Sequence, residues 1–262
     1  MNCLLLPIDN FVNADATSAQ AYISDPKQID HIHKVLGLQV GDSLKIGQLG
    51  GKLGSAIIDD MTPTAIQLRE VQLTLAPPNK LDLTVVLALP RPKVLRRLIM
   101  DMTALGVAHI ILINSYRSQK SYWQIPMLGR LDEFVLEGLQ QSVDTIAPTI
   151  TLEKRFKPFV EDKLPRLLTD IDGQAIVAHP YGALSLSTYL QRASIASGSA
   201  NNSGLPTDSL PKIVFIGSEG GWIDYEIELL ATQGCQALTI GSRILRTEAA
   251  VNVIVGQWLL PH

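Results

Sequence analysis

Lys212-Ile213-Val214-Phe215-Ile216-Gly217-Ser218-Glu219-Gly220-Gly221 is the stretch on which the fold turns. Ile213 to Ile216 are apolar without alternation, as in a strand covered on both faces. A glycine-rich loop follows at once, and a helical pattern at Ile227 to Leu230 comes after it. Strand, loop and helix in that order make one unit of a parallel α/β sheet, in which ligands bind at the carboxyl ends of the strands. Glycines in such a loop let the backbone approach a ligand and present N–H donors at a helix start. A plain Gly-rich turn would look the same at this stage.

Outward from that unit the same rhythm recurs. Leu83 to Leu89, Val107 to Ile113, Ala175 to Ala178 and Ala237 to Ile240 are further buried-strand candidates. Between them, Leu95, Leu98, Ile99, Met102 and Leu105 fall at helical spacing, with Gly106 as a stop. Leu128, Leu131, Val135 and Leu139 predict a second helix, and Ala249 to Leu259 a terminal one. Residues 1–75 read differently. Short apolar runs at Leu4 to Ile8, Leu53 to Ile58, Ala65 to Leu68 and Val71 to Leu75 are split by turn residues, with one helix near Pro26 to Leu36. The spacing predicts a small β-rich domain over 1–75, a linker at Ala76 to Asn79, and an α/β domain with a parallel sheet over 76–262. Ser197 to Ser209 reads as a flexible Gly/Ser/Asn-rich loop.

Composition narrows the function. The chain has 262 residues, 46% hydrophobic and 18% charged, which excludes general disorder. No apolar run reaches membrane-spanning length, and the start is a poor signal peptide. Two distant cysteines, Cys3 and Cys235, exclude a disulfide framework or zinc ribbon and fit a reduced cytoplasm; no metal is expected. The net charge of −3 excludes a grip on nucleic acid by bulk charge. That charge sits in residues 1–75, however, while residues 91–130 hold seven basic side chains against one acid. Arg91, Lys93, Arg96, Arg97, Arg117 and Lys120 are therefore candidate phosphate contacts, with Lys93 and Arg97 on one helix face. A solvated helix face is the alternative. Tyr116, Tyr122 and Trp123 among them suit base stacking, or else core or dimer contacts.

A second Gly-led stretch, Ile240-Gly241-Ser242-Arg243-Ile244-Leu245-Arg246-Thr247-Glu248-Ala249-Ala250, again leaves a strand and enters a helix. Thr247 suits an N-cap and Glu248 the helix dipole. Arg243 and Arg246, in so apolar a run, call for an anionic or carbonyl partner. His179-Pro180 ends another strand where a ligand loop belongs. A dinucleotide site is disfavoured: the spacing is not GxGxxG, and no acid lies near Ile240.

The pair IGSEGG and IGSRILRTEAA resembles the C-terminal signature of the SPOUT-class methyltransferases. More closely, it is similar to the family that methylates N3 of a uridine in 16S ribosomal RNA, which usually reads IGPEGG and LGxRILRTETA. Asp30 to Asp42 resembles that family's HHxxxVLRLxxGD segment, in its PUA-like domain. Leu105-Gly106-Val107 resembles its ELGV, and His179-Pro180 its strand-end His-Pro. The chain departs from the pattern at Ser218, Ala249, Gly37 and Ala104, and at Asp144, where the family's EQSGR arginine is gone.

The resemblance implies a trefoil-knotted catalytic domain, an obligate homodimer, and S-adenosyl-L-methionine held by three loops. The first loop contributes His179 and Pro180. The second contributes Ile216, Gly217, Glu219, Gly220 and Gly221, and the third Ile240, Gly241, Ile244, Leu245 and Thr247. N3 of uridine loses a proton in the reaction, which calls for a base or an anion-stabilising group, and Arg246 is the candidate for stabilising charge on the uracil. Glu219 and Glu248 then orient it or take the proton, unless Glu219 only orders its loop. His33 and Lys34 of the PUA-like domain join the basic cluster as RNA contacts, the partner being 16S rRNA in the small subunit. A paralogue acting on another RNA, or a non-catalytic ribosome-assembly protein, would share the scaffold.

Overall fold

Alternation and its interruptions shape the first of two units. In the computed structural model, residues 2–12, 19–171, 173–196 and 210–259 are described; the expected loop at 197–209 lies outside them. The first unit comprises Met1–Asn79 with Val135–Ala147. Its strands are β1 (Leu4–Leu6), β2 (Phe11–Val12), β3 (Gln20–Ile23), β4 (Ser43–Gln48), β5 (Leu53–Met61) and β6 (Ile66–Leu75). They form one curled sheet in the order β1-β4-β5-β6-β3-β2, with only the β1–β4 pair parallel.

Ala21 and Ile23, Leu44 and Ile46, and Ile66 and Leu68 alternate into its core. Two strands were expected across 65–75, and there is one. Glu70 takes a left-handed φ of 51°, an extra residue that shifts the alternation so that Val71 turns inward after Leu68. Gly54 carries the curl: a Cβ there would lie 1.7 Å from the Gln72 carbonyl oxygen on β6. The expected helix is α1 (Pro26–His31), continued by a wide turn over Ile32–Leu36. Asp25 caps it by accepting the Lys27 N–H at 2.7 Å, and Pro26 opens it. Gly37, where the chain departs from the family pattern, closes it with φ 65°, a left-handed conformation that suits glycine. Residues 135–147, assigned from sequence to the second domain, pair here by backbone. The Gln140 carbonyl accepts the Asn2 and Cys3 N–H groups at 3.0 and 3.2 Å, and the Thr145 carbonyl accepts that of Gly50 at 2.9 Å.

The second unit holds Lys80–Phe134 and Pro148–His262. Its strands β7 (Leu81–Ala88), β8 (Val107–Ile113), β9 (Thr149–Glu153), β10 (Ala175–Ala178), β11 (Leu184–Ser185), β12 (Ile213–Ile216) and β13 (Gln236–Thr239) form a sheet ordered β11-β13-β10-β12-β7-β8-β9. Every pair in it is parallel. Its helices are α2 (Pro92–Ala104), α4 (Phe156–Pro158), α5 (Leu164–Asp170), α6 (Leu186–Ala196), α7 (Asp224–Thr232) and α8 (Thr247–Val255), while α3 (Leu131–Ser142) begins in this unit and belongs to the first from Val135 onward. The continuous apolar strands are buried on both faces. Val86, Ile111, Val177 and Phe215 pack with Phe156, Phe159, Trp222 and Leu230. Leu95, Leu98, Ile99 and Met102 of α2 are buried, as are Val251, Ile254 and Val255 of α8, and the two helices pack together.

Thr247 is not the cap of α8. Arg246 occupies that position with extended backbone (ψ 155°), makes no side-chain capping bond, and leaves Thr247 buried in the first turn. Among the described residues, no helix is long and apolar enough to cross a membrane. Cys3 and Cys235 are free and buried, and burial pushes their thiols up to about 11 and about 12.

Candidate cofactor and RNA site

The strand order reverses between β7 and β12, and the loops leaving β10, β12 and β13 meet beside that crevice. They enclose a cavity of about 300 Å³, at the lower end of the range for small-molecule sites. Of the expected cofactor residues, His179, Pro180, Ile216, Gly217, Glu219, Gly220, Gly221, Ile240, Ile244, Leu245 and Thr247 line it; Gly241 does not. Of the expected catalytic set, Glu219 lines it, whereas Arg246 and Glu248 do not. Arg246 is exposed and makes no ion pair among the described residues.

Each loop is held by its own backbone logic. After β12 the chain turns tightly: the Gly221 N–H donates to the Ser218 carbonyl at 2.8 Å, with Gly221 at φ 69°. A Cβ on Gly217 would lie 3.0 Å from the Gly221 Cα, a contact tight enough that the main chain would have to give way. After β10, the His179 N–H donates to the Leu238 carbonyl of β13 at 2.9 Å. Glu219 reaches across to the start of α2, its carboxylate accepting the Arg91 N–H at 3.1 and 3.3 Å. Arg117 donates to the Gly220 carbonyl and packs against that glycine.

Three residues that line the cavity carry buried polar atoms without partners. His179 Nδ1, Ser218 Oγ and Trp222 Nε1 are buried and make no hydrogen bond, an arrangement that a polar ligand would relieve. The His179 imidazole is held below its usual 6.5 by burial, with the Asp224 charge opposing the shift, so it is neutral at pH 7. Trp222 stands on Phe156 and Phe215, with ring centroids at 5.7 and 6.4 Å, and fixes an apolar floor. Aliphatic and aromatic surface for a heterocycle, backbone loops around it and unpaired polar atoms fit an adenosine-bearing cofactor.

Tyr181, Ser218, Trp222 and Asp224 also line the cavity and are not among the cofactor candidates that the sequence offers. Adjacency to His179-Pro180 and to Gly220-Gly221 is the only available signal for them. Glu226 likewise goes unmarked by the sequence. Its buried carboxylate accepts the N–H groups of Tyr116 (2.8 Å) and Ile223 (3.0 Å), fastening the β8 loop to the start of α7.

The basic candidates divide. Arg91, Lys93, Arg96, Arg97, Arg117 and Lys120 are all exposed, and Lys93, Arg96 and Arg97 lie on the solvent side of α2. The Arg96 guanidinium lies 6.0 Å from the Phe134 ring centroid. Trp123 donates to Asn114 at 2.8 Å and serves the loop; Tyr116 is exposed. In the first unit His33 and Lys34 are exposed, and Lys34 pairs with Asp30 at 2.9 Å. Among the described residues, no group of His, Cys, Asp and Glu is placed to hold a metal.

A parallel α/β unit with a ligand cavity at its strand ends and a basic flank has a match among known families. The family described as RNA methyltransferase domain matches residues 77–259, and the chain belongs to it. The relatives are more particular. The chain is 28% identical to ribosomal RNA small subunit methyltransferase E of Treponema pallidum over 222 residues, 84% of this chain and 77% of that protein. It is likewise 28% identical to the protein of the same name from Synechocystis over 232 residues, 88% of this chain and 70% of that one. The crystal structure of a ribosomal RNA small subunit methyltransferase E from Neisseria gonorrhoeae, bound to S-adenosyl methionine, has the same fold. Its TM-score is 0.71 over 98% of this chain and 96% of that one, at 20% identity.

Proposed function

We propose that the chain is an S-adenosyl-L-methionine-dependent methyltransferase acting on N3 of a uridine in 16S ribosomal RNA, within the small subunit, in the cytoplasm. The observation that carries this is the single cavity onto which the β10, β12 and β13 loops converge, lined by all the residues expected to hold the cofactor except Gly241. The ribosomal names of its relatives support the substrate class.

When bound, S-adenosyl-L-methionine supplies an electrophilic methyl group, the N3–C bond forming as the S–C bond breaks and the sulfonium becomes a neutral thioether. The protein's own work is alignment, worth several kcal/mol when the reacting atoms are held in line. His179, Gly217, Gly220, Gly221, Ile240 and Leu245 would hold the cofactor. The N3 proton goes to a carboxylate, and Glu219 is the expected carboxylate that lines the cavity. Arg246, free at the start of α8, stabilises negative charge on the uracil oxygens, and Glu248 in the same turn orients it. N3 is on the pairing edge, so the base enters unpaired or flipped out.

The same reading makes the catalytic unit a SPOUT-type trefoil knot. Support comes from β13 lying between β10 and β11, so that the 179–183 connection crosses it. A Cβ on Gly182 in that connection would come within 2.9 Å of backbone atoms of Ala237, Leu238 and Thr239. The curled sheet of the first unit is read as a PUA-like RNA-binding domain. A homodimer is supported by exposed apolar side chains around α8, namely Ile244 (73% exposed), Val253 and Leu259. Incubation of the purified protein with labelled S-adenosyl-L-methionine and small subunits lacking the modification tests the reaction. N3-methyluridine is expected in the RNA; label in another nucleoside, or none, overturns it.

A further inference from the structure

Beside the cofactor cavity lies a second one of about 170 Å³. The two share a wall, for Arg117, Ser218, Glu219 and Gly220 line both. We propose that this second cavity is the acceptor subsite, taking one flipped-out uracil ring, an inference that rests on the methyltransferase reading of the first. Donor and acceptor of a methyl transfer must lie side by side, and no other arrangement of the two cavities is needed.

The lining chemistry matches a 2,4-dioxo pyrimidine. Tyr122, half-buried at the rim, offers a ring face for stacking. The Gln119 amide is exposed there and supplies both a donor and an acceptor. Arg117 is steadied by its bond to the Gly220 carbonyl, and its remaining N–H groups only donate. They suit the exocyclic oxygens of uracil and oppose the amino group of cytosine. The Ser218 hydroxyl is buried without a partner in the shared wall.

A short single-stranded RNA carrying one 4-thiouridine, bound to the full-length protein with S-adenosylhomocysteine and irradiated, tests the subsite. Crosslinks mapped by mass spectrometry are expected on Gln119 to Trp123 or Ser218 to Gly221. Tyr122→Leu should lower their yield at least fivefold while S-adenosyl-L-methionine binding stays within twofold. Crosslinks confined elsewhere, none at all, or loss of cofactor binding in Tyr122→Leu overturn the assignment. If crosslinks map here but no uridine is methylated, the subsite stands and the assigned reaction falls. Methylation with crosslinks elsewhere gives the reverse.

Discussion

The Glu219 carboxylate accepts the backbone N–H of Arg91 through both oxygens, at 3.1 and 3.3 Å, tying the β12 loop to the start of α2. Loop ordering and proton transfer thus fall on one side chain, and two substitutions separate them. Glu219→Gln keeps an acceptor for the N–H and removes the base. Its kcat should fall by about 10²-fold or more with the melting temperature unchanged. Glu219→Ala should lose activity and raise KM. Full activity in Glu219→Gln would reduce the residue to ordering its loop.

Gly217→Ala places a methyl group 3.0 Å from the Gly221 Cα, where only main chain can give way. Overpacking of this kind costs roughly 1–3 kcal/mol. Calorimetric titration should show S-adenosyl-L-methionine affinity lowered by about tenfold or more.

His179 gives a pH dependence. Its folded-state pKa lies below 6.5, so the folded protein binds fewer protons than the unfolded chain in that window. The stability held by the neutral ring is present above 6.5 and is lost as pH falls through the depressed value. Protonation also puts a positive charge in a cavity meant for a sulfonium. Cofactor affinity should therefore weaken below pH 6.5 in the wild type and stay flatter in His179→Asn. Parallel profiles would contradict this.

Arg246→Ala removes an exposed side chain that does not line the cavity. S-adenosyl-L-methionine binding should stay within about twofold while kcat falls by about 10²-fold, as for lost charge stabilisation. Equal activity in the variant would refute the role.

Charge reversal at Arg96 and Arg97 should weaken RNA binding and lower its salt slope by roughly one per lost phosphate contact. Lys34→Glu should do less, since Lys34 already pairs with Asp30. The opposite order in filter-binding titrations would move the phosphate contacts to the first unit.

The parallel sheet was legible because its central strands are apolar throughout, as at Ile213 to Ile216. The polar or short edge strands β9 and β11 were not, because Thr149 to Glu153 and Leu184-Ser185 carry no buried-strand pattern. Glycine-rich loops marked the cavity. Arg117 was read only as a phosphate contact, since its bond to Gly220 spans more than a hundred residues and leaves no periodic trace. The pairing of 135–147 with the first unit rests on backbone bonds, which composition does not record.

The reaction itself is tested most directly by mass mapping of 16S rRNA from cells with the gene deleted. One N3-methyluridine should vanish and return on complementation with the wild-type chain but not with Arg246→Ala. An unchanged N3-methyluridine in the deletion strain would contradict the account.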